Sequence, residues 1–254
     1  MLNHQTVQQL QILKLHGAAK AYQDQQSNPA ALSLGFDERL GLLIDHEIAY
    51  RENRRLRRLL KKASLRYPSA CLEDIDYDPR RGLDKSQILS LAPCDWVRNG
   101  LNLLITGMTG TGKSWLGCAF GNQACRQGLT VEYYRLTLLL EDLSVAHGLN
   151  TFPNRMKGLS KIDLLILDDF GLGSMTAQNR NDFFEIVEHR SERRAILITS
   201  QIAETEKWHD YLAENPTMAD ATLDRLVSGS MQIDIKGESI RKLRAERGRG
   251  GQKS

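Results

Sequence analysis

Gly107-Met-Thr-Gly-Thr-Gly-Lys113-Ser114 fits the pattern G-x-x-x-x-G-K-[ST]. Each position has a chemical reason. The glycines let the backbone turn so tightly that successive N–H groups face one polyphosphate. A helix opening at the end of the loop aims its positive dipole end at the same anion. Lys113 reaches the β- and γ-phosphates, and the Ser114 hydroxyl is a ligand for Mg²⁺. The expected cradle for a nucleoside triphosphate is therefore Gly107, Met108, Thr109, Gly110, Thr111, Gly112, Lys113, Ser114 and Trp115.

A second cluster follows about sixty residues later. Leu164-Leu165-Ile166-Leu167-Asp168-Asp169 is an apolar run ending in two carboxylates. In an open parallel sheet, ligands gather at the carboxyl ends of strands. Asp168 there can hold Mg²⁺ through its waters, and Asp169 can orient or deprotonate an attacking water. A further buried run ends in Thr199-Ser200-Gln201, polar groups suited to touch the γ-phosphate or the water. Arg225, in Ala221-Thr-Leu-Asp-Arg-Leu-Val227, suits either a finger on a neighbouring subunit's γ-phosphate or a salt bridge to a nearby carboxylate.

The elements that must position these groups alternate. A strand is expected from Leu101 to Ile105, a helix from near Gly112, a strand at Thr130–Arg135 and a helix at Leu136–Ala146. Strands are expected again at Ile162–Leu167, Ala195–Thr199 and Met231–Ile235, with a helix at Ala177–Arg190. This alternation is the signature of a parallel α/β sheet.

Before this core, residues 3 to 26 read as one helix broken by Ser27-Asn28-Pro29, and Phe36 to Ala63 as a second. Leu40, Leu43, Ile44 and Ile48 form an apolar stripe, continued by Leu56, Leu59, Leu60 and Ala63. Opposite that second group lie Arg54, Arg55, Arg58, Lys61 and Lys62, a density of cations that suits phosphate-backbone contact with DNA. Residues 1–66 are expected as a helical domain and 67–100 as a connector. Residues 101–240 are expected as the nucleotide domain, and 241–254 as a basic, disordered tail.

Composition sets outer bounds. The 254 residues are 41% hydrophobic and 26% charged with net charge +3, an ordinary globular balance. No apolar run approaches a membrane span, and no signal peptide is evident, so a cytoplasmic protein without membrane contact is expected. Cys71, Cys94, Cys118 and Cys125 lack C-x-x-C spacing, which argues against zinc or a disulfide framework.

Taken together, LKLHGAAKAY, FDERLGLLIDHEIAYRENRRLRRLLKKASL, LEDIDYDPRRGLD, GMTGTGKSWLGCAFGNQAC, LLILDDFGL, ILITSQ, ATLDRLV and IKGESIR resemble the IstB-like ATP-binding proteins, transposition helper ATPases of the AAA+ superfamily. The resemblance implies an AAA+ P-loop NTPase core with a parallel five-stranded sheet, preceded by a small all-helical N-terminal domain. It implies ATP and Mg²⁺ as cofactors and a homo-oligomer joined through ATP-bridged interfaces. It also implies largely sequence-nonspecific duplex DNA and a transposase as partners. It adds Gln201 as part of a sensor, Arg225 as the finger and Arg241 as a second sensor. Asp169 stands where many AAA+ ATPases have glutamate, which implies slow hydrolysis. The alternative is a DnaC-type helicase loader, which shares this core. A phosphotransferase with a small acceptor is the third reading, and the sequence offers it no acceptor site.

Overall fold

A computed structural model describes residues 2–204, 207–213, 215–237 and 239. The chain forms two compact units, one up to Arg58 and one from Leu59 onward. Among the described residues no helix is long and apolar enough to cross a membrane.

The first unit contains α1 (Leu2–Ile12), α2 (His16–Ser27), α3 (Pro29–Leu32) and most of α4 (Phe36–Ala63). The single helix expected over 3–26 is two helices. Lys14 takes a left-handed φ of 59° and ends α1, a break with no glycine or proline to announce it. Asn28 then caps α3 by accepting from the Ala30 N–H, with Pro29 at the first helical position. The long helix α4 has the expected bounds. Asp37 and Glu38 lie in its first turn and Lys61 and Lys62 in its last, each suited to the helix dipole.

Two residues lock α2 onto α4. A side chain on Gly17 would lie 2.6 Å from His46 O, so only glycine allows this close approach. Glu47, on α4, accepts from the Gly17 and Ala18 N–H groups at 2.7 and 3.1 Å and from Arg51 Nε at 2.6 Å. A side chain from one helix thus caps the other. Burial alone would raise the Glu47 carboxyl, but the bonds from Arg51, Ala18 and Gly17 hold it below its ordinary value. The stripe behaves unevenly: Leu59 and Ala63 are buried, whereas Leu40, Ile44 and Ile48 stay about half exposed.

The second unit is built on five parallel strands: β1 (Leu103–Gly107), β2 (Val131–Arg135), β3 (Leu164–Phe170), β4 (Ala195–Ser200) and β5 (Met231–Ile235). Their order across the sheet is β2-β3-β4-β1-β5. The connecting helices are α5 (Lys85–Leu91), α6 (Asp95–Arg98), α7 (Lys113–Arg126), α8 (Leu136–Gly148), α9 (Phe152–Leu159), α10 (Ala177–Arg190), α11 (Lys207–Leu212) and α12 (Pro216–Val227). The three middle strands are apolar in β1 and β4 and in the first half of β3, as strands covered on both faces must be. On one face lies a core of Leu165, Leu167, Ile196 and Ile198 with Leu139, Leu143, Phe183, Ile186 and Trp208. On the other, Cys118 and Cys125, seven residues apart on α7, are buried and pack as small apolar groups.

Both edges of this sheet make contacts with other segments of the unit. At the β2 edge, Lys62 pairs with Glu132 at 3.2 Å. At the β5 edge, Gln87 of α5 donates to Gln232 O at 2.8 Å, and Lys236 N donates to Arg81 O at 2.9 Å.

Candidate functional site

The loop from Gly107 to Gly112 joins β1 to α7 at the carboxyl edge of the sheet. Gly107 has φ 142°, and a Cβ there would lie 2.3 Å from Ile235 O on the neighbouring strand. Gly110 and Gly112 also have positive φ. Lys113 opens α7 and is nearly buried. Its Nζ donates to Gly107 O and Met108 O, both at 2.8 Å, so its ammonium sits inside the curve of the loop. Burial lowers its pKa, and the nearby charges of Asp169 and Asp168 partly oppose that. Ser114 and Trp115 follow in the first turn of α7, both half-buried.

The strand order explains how distant residues converge. β4 lies between β1 and β3, with Thr106 opposite Ser200 and Leu167 opposite Ile198. The tip of β4 therefore stands between the glycine loop and the acidic pair. Thr109 Oγ1 donates to Gln201 Oε1 at 2.9 Å, which ties loop to tip. On the other side Thr199 Oγ1 donates to Asp168 Oδ1 and accepts from the Asp169 N–H at 3.2 Å. Lys113, Asp168, Asp169 and the Thr199–Gln201 tip thus share one edge.

The acidic strand does not end where the sequence suggests. β3 runs through both carboxylates to Phe170, and between Leu167 and Phe170 it carries one more residue than β4 opposite. This bulge, with Asp169 at φ 63°, turns successive carboxylates in different directions. Asp168 is wholly buried, while the Asp169 side chain is 30% exposed.

Four further residues complete the cluster. Tyr133 OH donates to Asp168 Oδ2 at 2.5 Å. Burial first, then this bond, pushes its phenol pKa up. Arg135 Nε lies 3.3 Å from Asp169 Oδ2. Arg66 Nη1 lies 3.4 Å from Asp168 Oδ2 and 3.8 Å from Asp169 Oδ2. Arg81 donates to Thr111 O at 3.2 Å and to Asp76 O at 2.7 Å, bracing the loop from the LEDIDYDPRR segment. Tyr133 and Arg135 were findable: both lie on one face of β2 near its carboxyl end, where the strand-end rule points. Arg66 and Arg81 carry no such local signal.

Hard cations take oxygen donors, and Mg²⁺ in phosphate sites binds through one or two carboxylates plus phosphate and water. Among the described residues no cluster of three or more His, Cys, Asp or Glu groups could hold a metal alone. The buried Asp168 carboxylate and the Ser114 hydroxyl match the sparse donor set that a nucleotide-borne Mg²⁺ needs. A loop with glycines at positive φ, a lysine in its curve and a helix start behind it matches a polyphosphate.

Arg225 lies elsewhere. Its carbonyl accepts from Asn102 Nδ2 at 3.1 Å, and Asn102 precedes the first residue of β1. The glycine loop leaves the other end of that strand, ~17 Å away for a strand of this length. The Arg225 guanidinium pairs with Glu188, donates to Ala221 O at 2.8 Å and lies over the Phe184 ring at 5.7 Å. Arg54, Arg58, Lys61 and Lys62 are exposed along α4, as is Arg55. Arg241 and the tail 241–254 lie outside the described residues.

A family model described as IstB-like ATP binding protein matches residues 8–248. A Pseudomonas fluorescens protein named as an insertion sequence ATP-binding protein is 48% identical over 202 residues, covering 80% of this chain and 87% of its own length. A similarly named protein of Sinorhizobium fredii is 42% identical over 242 residues, covering 95% and 98%. Among solved structures, the DnaC helicase loader matches with a TM-score of 0.55 at 19% identity, over 67% of this chain and 99% of that one. The last likeness is one of fold.

Proposed function

We infer, from the premise that this chain belongs to the family of IstB-like ATP-binding proteins, that it is an insertion-sequence ATPase which assembles on duplex DNA and delivers that DNA to a partner transposase. Its fold is the AAA+ P-loop core, a five-stranded parallel sheet with an N-terminal helical unit ahead of it in the chain. The reading places the protein in the cytoplasm.

The observation that carries hydrolysis is the convergence of the Lys113 loop, the Asp168–Asp169 pair and the Gln201 tip on one sheet edge. In this reading Lys113 exchanges the Gly107 and Met108 carbonyls for β- and γ-phosphate oxygens. The loop N–H groups and the α7 N-terminus take the remaining charge. Ser114 and Asp168 would hold Mg²⁺, which would supply positive charge to offset that of the phosphates. Asp169 accepts a proton from the attacking water as its oxygen bonds to the γ-phosphorus. The bond from that phosphorus to the bridging oxygen breaks, leaving ADP and phosphate. Thr199 holds both members of the acidic pair in place, and Gln201 contacts the γ-phosphate or the water. Arg225 stands at the wrong edge for its own loop, which supports its use on a neighbouring copy in a homo-oligomer.

The cations of α4, from Arg54 to Lys62, take the DNA phosphates. That contact is indifferent to sequence because it reads only the backbone. Bending of the duplex is affordable where many such contacts offset a deformation of a few kcal/mol.

The test is binding of labelled duplex and single-stranded DNA with ATP, with ADP and without nucleotide, following particle size in the same samples. ATP-dependent duplex binding with growth into a large oligomer is expected. Preference for single strands would select a helicase loader instead. Absence of DNA binding in every nucleotide state would sink both.

A further inference from the structure

The acidic pair carries a cation that the scheme above leaves without a task. Arg66 lies three residues beyond the end of α4. Ser64 has a left-handed φ of 50°, and Leu65 is buried, so the chain turns sharply there and presents Arg66 to the sheet edge. One nitrogen, Nη1, bridges both carboxylates, at 3.4 Å from Asp168 and 3.8 Å from Asp169.

The surroundings show what Arg66 does for Asp168. That carboxylate is wholly buried. Thr199 donates to Oδ1, and Tyr133 donates to Oδ2 at 2.5 Å. These neutral donors satisfy hydrogen bonding but supply no counter-charge, and a buried carboxylate needs one. Arg135 pairs with Asp169 at 3.3 Å, and Lys113 is turned toward the loop carbonyls. Arg66 is the positive group in ion-pair range of Asp168 among the described residues.

Arg66 is also built to leave. Its side chain is 37% exposed, against 0% for Asp168, so it reaches the pair from solvent and can withdraw to it. Tyr67 beside it offers a ring face 5.5 Å from the guanidinium. A divalent cation held at Asp168 would meet Arg66 as a like charge.

We propose that Arg66 is a positioning residue that holds the acidic pair as a stand-in cation before loading and competes with Mg²⁺ for Asp168. The inference rests on Asp168 being the metal-holding carboxylate of the function proposed above. Arg66 keeps both carboxylates oriented in the nucleotide-free chain, and its withdrawal couples Mg²⁺ entry to a change in the segment that follows α4.

The experiment measures the Mg²⁺ concentration that half-saturates binding of a fluorescent, non-hydrolysable ATP analogue, in full-length protein, for the unaltered chain and for Arg66→Ala, Arg66→Gln and Asp168→Asn. Removing a charge at this distance should lower the Mg²⁺ requirement about tenfold in both Arg66 variants. Thermal melting of the nucleotide-free proteins is followed alongside, and it should fall for the Arg66 variants. A lower melting point with an unchanged or raised Mg²⁺ requirement would make Arg66 merely structural and overturn the proposal. Should Arg66→Ala not fold, the near-isosteric Arg66→Gln decides alone. Asp168→Asn separates the two levels: if its Mg²⁺ requirement matches that of the unaltered chain, the metal reading of Asp168 fails. If Asp168→Asn raises the requirement while the Arg66 variants do not lower it, only the competition fails.

Discussion

Thr109 and Gln201 are ninety-two residues apart and joined by one hydrogen bond of 2.9 Å. The bond exists because β4 lies beside β1 in the sheet. It gives the glycine loop a direct contact with the group proposed to sense the γ-phosphate. Gln201→Ala should leave ATP affinity within a few-fold and lower kcat by about 10², the effect of removing one preorganised polar group. Equilibrium binding with steady-state phosphate release checks the split. A loss confined to affinity would remove Gln201 from the chemical step.

Arg225 yields a mixing experiment. Lys113→Ala should abolish nucleotide binding, and Arg225→Ala should leave binding intact while lowering hydrolysis by ~10³ or more. Each variant alone is then inactive. Mixed, the intact loop of one meets the intact arginine of the other, and phosphate release should return. Failure of the mixture to recover, with mixed oligomers shown to form, would mean that Arg225 serves only its ion pair with Glu188.

Duplex binding should weaken steeply with salt, the log–log slope rising by about 0.9 for each phosphate neutralised. Replacing Arg54, Arg55 and Arg58 together by Ala should make that slope shallower by about 2 to 3. Lys62→Ala should change it less, because Glu132 already holds that ammonium at 3.2 Å. An unchanged slope in the triple variant would move the DNA site off α4.

Glu47 predicts a pH dependence in the helical unit. Its folded carboxyl lies below the ordinary value of 4.5, held down by Arg51, Ala18 and Gly17 against the opposite effect of burial. The stabilisation is therefore present above about pH 4.5 and lost as pH falls through the folded value. Glu47→Gln should lower the stability of this unit by about 1 to 2 kcal/mol at pH 7. Urea unfolding at pH 7 and at pH 3 should show the gap between variant and parent closing in acid. A gap that persists in acid would assign the effect to shape rather than charge.

The four cysteines should react in order of access. Burial raises Cys94 and Cys118 to about 11 and Cys125 to about 12, so their thiolates are scarce at neutral pH. Cys71 is raised too, first by its bond to Asp74, yet it is partly exposed. A thiol reagent at pH 7.5 should modify Cys71 first and the other three only on unfolding. Peptide mapping after a timed pulse checks the order.

The glycine loop, the acidic pair and the helices Phe36–Ala63 and Ala177–Arg190 were legible because each is written in local sequence: a fixed spacing, an apolar run or a repeat of 3.6. The break at Lys14 was not, since a lysine in the left-handed region leaves no compositional mark. Strand order was not readable either, and with it went the Thr109–Gln201 and Thr199–Asp168 contacts. Arg66 belongs to no motif, and only the turn at Ser64 brings it to carboxylates a hundred residues on. The half-exposed Leu40, Ile44 and Ile48 show the same limit from the other side, because periodicity marks an apolar face and not what lies against it.

Both margins of the sheet are guarded, and this governs how copies of the chain can meet. An open strand edge is a template for fusing with another strand. Here the β2 margin bears Glu132 and Arg135, each engaged by a charge, and the Gln87 side chain takes one carbonyl of β5, that of Gln232. Growth by strand addition, the route to insoluble fibrils, is thereby discouraged. Any contact between copies of the chain is left to side chains, and such contacts, unlike a fused strand ladder, can come apart again.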